Sequence, residues 1–201
     1  MSLINHCLEQ ECLKMKIKIV IYLLLSALLT SCVGAMVVGA AGSMIVYDRR
    51  SLTMIERDAR IYYVINRGIA NHRGFRNSHV TVTSYNQIVL LAGETTSTTL
   101  REDAEKIAQN TPNIRRVYNE ITISEPISIN QRSKDLLLSG QIRTKMLAEK
   151  GLESGSIHIV TENANVYLIG IVTHEQADLA VNVARHVQGV NKVVKIFQYI
   201  F

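Results

Sequence analysis

One short pattern occurs twice in this chain of 201 residues, and the repetition limits the possible folds more than any other feature of the sequence. Residues 82–93 read VTSYNQIVLLAG, and residues 159–170 read IVTENANVYLIG. In both copies β-prone residues precede a polar turn centred on Asn, and an apolar strand that stops at a Gly follows. Such a succession predicts a β-hairpin. The constant offset of 77 residues between the copies indicates two copies of one structural unit.

The repeat extends beyond the hairpin on both sides. Upstream, each copy has an Asp followed by apolar residues at helical spacing, which predicts an amphipathic helix. The Asp is expected to stabilise the first turn of this helix through the helix dipole. The positions are Asp58, Ile61, Ile65 and Ile69 in the first copy and Asp135, Leu138, Ile142 and Met146 in the second. Downstream, a second helix is predicted at about 98–110 and 174–187, and a closing strand follows each.

Each unit therefore reads helix, strand, strand, helix, strand. A third strand that returns beside a hairpin after a helical crossover makes the sheet mixed. Two amphipathic helices on one face of this small mixed sheet predict an α+β fold, a two-layer α-β-β-α-β sandwich present twice in tandem. The first domain is predicted at residues 53–124 and the second at 133–201, with a polar linker at 125–132.

The N-terminal region has the pattern of an export signal. Lysines precede an apolar run at residues 19–29, and residues 29–32 read LTSC, which is typical of a bacterial lipobox. Residues 1–31 are therefore predicted to be a lipoprotein signal peptide, and Cys32 is predicted to be the lipid-modified residue. Residues 32–52 would then form an apolar tether.

Two alternatives remain open in this region. Met15 is a natural alternative start, in which case residues 1–14 precede the true start or lengthen the signal. Residues 19–47 contain no charge at all. They are longer than the roughly 20 residues that a membrane helix needs, so an uncleaved membrane anchor is the alternative to the lipoprotein.

Charge and cysteine content exclude several classes of protein. Residues 32–201 contain 19 basic and 15 acidic residues, a net charge of +4, whereas a nucleic-acid binder usually concentrates more positive charge on one face. Nucleic acid is therefore not expected as a partner. Cys32 is the one cysteine after position 31, so we expect no disulfide within the chain and favour acylation over a catalytic thiol.

The sequence contains no motif that predicts catalysis. The histidines after position 31 show neither H-x-x-x-H nor H-E-x-x-H spacing, and neither G-x-S-x-G nor a phosphate-binding loop occurs. We therefore expect no enzymatic activity, metal or cofactor. Gly93 and Gly170 are interpreted as strand ends, where a chain reversal needs glycine.

These features together resemble the BON domain family. The resemblance rests on the helix that begins with Asp, the hairpin that ends in Gly, the second helix rich in small residues, and the final strand. Two such domains behind a lipobox resemble outer-membrane lipoproteins with two BON domains. Five segments carry this resemblance in order: 32–35 (CVGA), 48–51 (DRRS), 117–121 (VYNEI), 125–127 (EPI) and 161–163 (TEN). The resemblance implies a periplasm-facing protein anchored in the outer membrane by its acylated cysteine.

The resemblance also implies a ligand. In this group the first helix of the second domain contacts anionic phospholipid, such as phosphatidylglycerol or cardiolipin, and the proteins support outer-membrane integrity. The sequence adds an independent indication, because residues 136–138 are three leucines and helical spacing places only Leu138 in the core. Leu136 and Leu137 are therefore expected to be partly exposed, whereas the matching Ala59 and Arg60 are expected on an ordinary solvated face.

The candidate phospholipid-binding residues are Lys134, Leu136, Leu137, Gly140, Gln141, Thr144 and Lys145. Apolar residues flanked by basic ones suit a helix that lies in the membrane interface. The chain departs from the family pattern at two of these positions, because relatives typically carry Trp in place of Leu137 and Lys in place of Gln141.

Two alternatives compete with lipid contact. The exposed leucines could instead pack against the first domain or the tether. The whole protein could instead dock on the outer-membrane protein assembly machinery, with lipid contact incidental and the terminal strand at 193–201 offering an edge for pairing.

Overall fold

The computed structural model describes residues 48–201. They belong to one compact unit that spans Val46–Phe201. The predicted signal peptide, Cys32 and most of the predicted tether lie outside the described residues. Within residues 48–201, no helix combines the length and the apolar character needed to cross a membrane.

Helices and strands follow the predicted order α-β-β-α-β twice. The first domain contains α1 (Leu52–Asn71), β1 (His79–Tyr85), β2 (Ile88–Thr95), α2 (Thr98–Gln109) and β3 (Arg116–Ile123). The second contains α3 (Ile129–Ala148), β4 (Ile157–Glu162), β5 (Asn165–Val172), α4 (His174–Arg185) and β6 (Lys192–Tyr199). Short 3-10 helices, Arg73–Asn77 and Ser154–Ser156, precede β1 and β4. The α+β fold of two tandem sandwiches is confirmed.

Each domain has one mixed three-stranded sheet. Its central strand pairs antiparallel with the first strand of the hairpin and parallel with the closing strand, giving the orders β1-β2-β3 and β4-β5-β6. The first helix of each domain lies against the hairpin's first strand, and the second helix lies against the other two strands. The terminal strand β6 is thus an edge strand, and its Ile196 is buried.

Each of the four α-helices within residues 48–201 begins at a Ser or Thr whose side chain accepts a hydrogen bond from a backbone N–H in the first turn. These N-caps are Ser51, Ser97, Ser128 and Thr173. Because Ser128 caps α3, that helix begins at Ile129, so the second half of the stretch predicted as a linker is helical. Helix α1 likewise begins at Leu52, one residue before the predicted domain boundary.

Each domain has a core between its helices and its sheet. The predicted helix positions supply it, because α1 buries Ile61, Ile65 and Ile69 and α3 buries Leu138, Ile142 and Met146. The second helices contribute small residues, mainly alanines, that let them approach the sheet closely. These are Ala104 and Ala108 in α2 and Ala177, Ala180 and Ala184 in α4.

A third apolar cluster lies between the two sheets, and we call it the seam. Successive residues of the central strands point alternately toward the helices and toward the seam. The seam is formed by Tyr85, Ile88, Leu90, Ala92, Val160, Tyr167, Ile169 and Ile196. The sheets therefore pack face to face, and the unit has four layers in the order helix, sheet, sheet, helix. It follows that α1 and α3 lie on opposite outer surfaces of the unit.

The interpretation of Asp58 as a helix-dipole residue is wrong. Asp58 lies in the second turn of α1 and is buried, and its carboxylate accepts hydrogen bonds from the backbone N–H groups of Asn86 and Gln87 at 2.7 and 2.8 Å. Those two residues form the turn between β1 and β2, both with positive φ, as a two-residue type I′ hairpin turn requires. The Asp therefore fastens the helix to the hairpin turn.

Asp135 has the same role in the second domain. Its carboxylate accepts hydrogen bonds from the backbone N–H groups of Asn163 and Ala164 at 2.8 and 2.9 Å. Both turn residues again have positive φ. In each domain the repeated Asn turn is therefore hydrogen-bonded to the repeated Asp that lies 28 residues before it.

The two repeated glycines do not end their strands, contrary to the sequence interpretation. Gly93 lies within β2 and Gly170 within β5, each opposite the edge strand of the hairpin. A Cβ atom at Gly93 would lie 2.1 Å from the carbonyl oxygen of His79, and one at Gly170 would lie 2.5 Å from that of Ser156. Glycine is needed at both positions because the neighbouring backbone passes too close for a side chain.

Candidate functional site

All seven candidate lipid-binding residues are on the exposed side of α3. Leu136 and Leu137 keep 75% and 67% of their surface exposed, as the helical spacing predicts. The alternative in which they pack against the first domain is therefore wrong. Two adjacent exposed leucines form a small apolar patch, and exposed apolar patches are the surfaces through which proteins contact partners or membranes.

Six of the seven candidate residues form two ridges along the helix, and Leu136 lies beyond the first of them. Leu137, Gly140 and Thr144 follow one another at helical spacing, and Lys134, Gln141 and Lys145 form the next ridge. A Cβ atom at Gly140 would meet nothing within 4 Å, so the surface around it is open. We call the exposed side of α3 that carries these residues the α3 outer face.

Polar contacts on the inner side hold the α3 outer face in its orientation. Besides the bonds of Asp135, the hydroxyl of Ser139 donates to Oγ1 of Thr161 at 2.8 Å. The guanidinium of Arg143 donates to the carbonyl oxygens of Ser154 and Ile157, both at 2.8 Å. Burial lowers the pKa of Arg143, yet a guanidinium stays charged at neutral pH.

The sequence interpretation missed one residue of this face. Ile129, at the start of α3, is 81% exposed and lies two turns before Leu136. Ile129 lies in the stretch predicted as a linker, where no helical spacing is expected. Its position seven residues before Leu136 would have indicated that both lie on one side of a helix.

Ala59 and Arg60 are both exposed on α1, as expected of a solvated face, but apolar side chains are exposed elsewhere on the same helix. Five large apolar side chains are exposed on α1: Leu52, Ile55, Tyr62, Tyr63 and Val64. Exposure of apolar residues therefore does not by itself distinguish the second domain from the first. The basic residues beside the apolar ones also differ, because the exposed ones on α3 are two lysines and Arg132, whereas those on α1 are all arginines.

Polar groups are also buried at the edge of the seam. Glu94 is only 2% exposed, and burial raises its pKa, with a further contribution from the nearby Glu162 carboxylate. The backbone N–H of Ile127 donates to Glu94 at 3.4 Å and opposes this rise. Glu162 in turn accepts a hydrogen bond from Thr81 and lies 3.4 Å from His79. Among residues 48–201, no group of three His, Cys, Asp or Glu side chains could hold a metal ion.

Comparison with known proteins agrees with this architecture. The family model of the BON domain matches the chain twice, at residues 57–125 and 134–200. The outer membrane lipoprotein DolP of Haemophilus influenzae is 32% identical over 185 residues, which cover 91% of this chain and 96% of that protein. The 21 kDa hemolysin of Actinobacillus pleuropneumoniae is 37% identical over 61% of this chain and 63% of its own length.

A more distant relative is the osmotically-inducible protein Y of Escherichia coli, which is 24% identical over 68% of this chain and 69% of that protein. The relationship to an outer membrane lipoprotein along almost the whole length of both chains confirms the predicted location at the outer membrane. Acylation of Cys32 stays a prediction, because that residue lies outside the described part. The chain belongs to the BON domain family, as an outer-membrane lipoprotein with two BON domains.

Proposed function

We propose that this protein binds anionic phospholipid, such as phosphatidylglycerol or cardiolipin, through the α3 outer face and thereby supports outer-membrane integrity. The observation that carries the proposal is the pair of adjacent exposed leucines, Leu136 and Leu137, with two exposed lysines in the ridge beside Leu137. Lys134 and Lys145 lie within three residues and eight residues of Leu137, close enough to reach the same headgroup layer.

The expected energies fit a weak surface contact that supplements an anchor. Full burial of a leucine side chain contributes about 1.5 to 3 kcal/mol, and partial insertion contributes less. Each Lys near an anionic surface adds about 1 kcal/mol, screened by salt within a Debye length. Such a contact would select lipids or membrane regions for a protein that is already held at the membrane.

Flotation with liposomes tests the proposal. The unit 46–201 contains every described core and contact, so we expect it to fold without the preceding residues. We would compare neutral vesicles with vesicles rich in phosphatidylglycerol or cardiolipin, using wild type, Leu137→Glu and Ile123→Glu. Ile123 is a matched control because it is 50% exposed and lies at the end of β3 in the other domain.

Binding to anionic vesicles alone, weakened by salt and lost in Leu137→Glu but not in Ile123→Glu, would support the proposal. Equal flotation with both lipids, or none with either, would contradict it. In the latter case the alternative function gains weight, in which the protein docks on an outer-membrane assembly partner and is indifferent to lipid composition.

A further inference from the structure

We propose that the outer surface of α1 binds an acidic segment of another protein, which inserts one apolar side chain into a recess beside Arg57 and Arg60. The recess lies between α1 and the loop that joins α2 to β3. Its lining consists of Arg57, Arg60, Ile61, Val64, Thr111, Pro112 and Asn113. We call it the α1 recess.

The size of the α1 recess suits a single side chain. Its volume is about 170 Å³. An engineered protein cavity of about 150 Å³ accepts benzene, so this volume has room for one branched or aromatic side chain. Ile61, Val64 and Pro112 supply apolar walls. Protein interfaces commonly place their strongest contact in such a pocket, where an apolar anchor is surrounded by polar groups.

The charge around the recess favours an acidic occupant. Arg57 makes no hydrogen bond or ion pair with any residue in the described part of the chain. Among residues 48–201, Arg60 pairs only with Glu56, at 2.6 Å, and both side chains are largely exposed, so this pair is weak and exchangeable. A guanidinium binds a carboxylate through two parallel hydrogen bonds. Two adjacent arginines with apolar walls between them therefore complement an apolar residue flanked by Asp or Glu.

The composition of α1 favours a protein over a lipid surface. The helix contains no lysine, and one turn beyond the recess Arg67 donates to the hydroxyl of Tyr63 at 2.8 Å. Arg and Tyr are enriched at protein interfaces, whereas Lys is depleted there. The α1 surface is also recessed at its centre, and a protruding side chain fills a recess more closely than a headgroup layer does.

The second domain carries different residues at the positions equivalent to the α1 recess. At the offset of the repeat, Arg57, Arg60 and Val64 correspond to Lys134, Leu137 and Gln141. The same place in the fold thus carries a protruding leucine in one domain and a recess with two arginines in the other. The loops also correspond, because Asn113 and Gly189 both have positive φ. The two copies therefore present different chemistry from equivalent positions.

The layer order permits both surfaces to be occupied together. Because α1 and α3 lie on opposite outer surfaces, a membrane in contact with α3 leaves the α1 recess facing away from the membrane. This step alone rests on the proposed lipid function; the recess, its charge and its composition do not depend on it.

Synthetic peptides provide the test. A set of twelve-residue peptides would carry one central Leu, Phe or Met flanked by glutamates, with matched peptides in which glutamine replaces glutamate. Binding to the isotope-labelled unit 46–201 would be followed by NMR. The double variant R57Q/R60Q removes the charge. R116Q is the matched control because Arg116 is an exposed arginine of the same domain, outside the recess.

We expect glutamate peptides to shift the amide signals of residues 57–64, Thr111 and Asn113, with affinity that falls as salt rises. R57Q/R60Q should weaken binding roughly tenfold or more, since it removes two charge-assisted contacts, whereas R116Q should not. No binding by any peptide at millimolar concentration, equal binding of the glutamine peptides, or shifts located elsewhere would each overturn the proposal.

Anionic vesicles provide the remaining arm of the test. Loss of vesicle binding in R57Q/R60Q would identify α1 as a lipid surface and overturn the assignment to a protein partner. Peptide binding that persists in Leu137→Glu, together with vesicle flotation that persists in R57Q/R60Q, would support two independent surfaces. Failure of flotation in wild type with peptide binding intact would contradict the lipid function only.

Discussion

Asp58 and Arg50 form an ion pair of 2.9 Å. Asp135, the counterpart of Asp58, makes no ion pair within residues 48–201. Arg50 also stacks over the ring of Tyr85, 4.0 Å from its centroid, and bonds to Asp48 at 2.8 Å. The guanidinium of Arg50 thus connects the segment before α1 to Asp58 of the helix and to Tyr85 of the hairpin.

Removal of Asp58 should therefore destabilise the protein more than removal of Asp135. Asp135→Ala loses two charge-assisted hydrogen bonds to the hairpin turn, and we expect the unfolding free energy to fall by about 2 to 3 kcal/mol. Asp58→Ala also removes the ion pair with Arg50, which keeps Asp48 as a partner, so we expect the unfolding free energy to fall by about 3 to 4 kcal/mol. Urea unfolding of both variants measures the difference, and an equal or reversed order would contradict this account.

Glycine substitutions should separate backbone crowding from helix propensity. Gly93→Ala and Gly170→Ala should be strongly destabilising because the new Cβ would overlap a carbonyl oxygen, and Gly93 in addition has a φ of +110°. Gly140→Ala is the matched control on an open helix surface, where alanine should stabilise by about 0.5 to 1 kcal/mol. Thermal unfolding of the three variants checks the signs. A stabilising Gly93→Ala would show that the strands can move apart.

Leu137 and Leu138 are adjacent in the chain and should respond in opposite ways. Leu138→Ala removes a buried side chain and should cost about 2 to 4 kcal/mol of stability. Leu137→Glu changes an exposed residue, and the unfolding free energy should stay within about 0.5 kcal/mol of wild type. Chemical unfolding compared with flotation tests both, and a large stability loss in Leu137→Glu would place Leu137 in a packing role.

The stability of the fold should depend on the ionisation of Glu94. Its pKa is raised above the ordinary 4.5, so the folded state retains a proton that the unfolded chain has lost. The stability that Glu94 contributes through this bound proton is fully present below pH 4.5. It is lost as the pH rises through the raised pKa of Glu94 in the folded state. Glu94→Gln should therefore be more stable than wild type at pH 7 and less sensitive to pH. Unfolding curves from pH 4 to 8 measure this, and a variant that is less stable at pH 7 would contradict it.

The sequence predicts the order of elements and both helix cores because each local pattern agrees with the fold. The spacing of Ile61, Ile65 and Ile69 is helical, and every one of them is buried. Leu136 and Leu137 were predicted to be exposed for the same reason. These are local statements, and the periodicity of one helix is sufficient to support them.

Contacts between distant segments were not predicted. The bonds from Asp58 to the hairpin turn join residues 28 and 29 positions apart, and spacing along one helix contains no information about them. The α1 recess could not be predicted from the spacing within α1 because its other wall is formed by the α2–β3 loop. The sequence did contain one signal for the seam. Residues 88–93 read IVLLAG, and an apolar strand without polar alternation indicates that both faces of the sheet are covered, as the complete burial of β2 shows.

Burial of both faces of β2 has a consequence for how such chains can be divided. A single domain cut from this pair would expose the apolar side of its sheet, with Leu90 or Tyr167 at its centre. The two sheets cover each other with equivalent strands, so a lone domain can cover itself with a second copy of the same domain. We expect either domain, expressed alone, to self-associate through that face of its sheet.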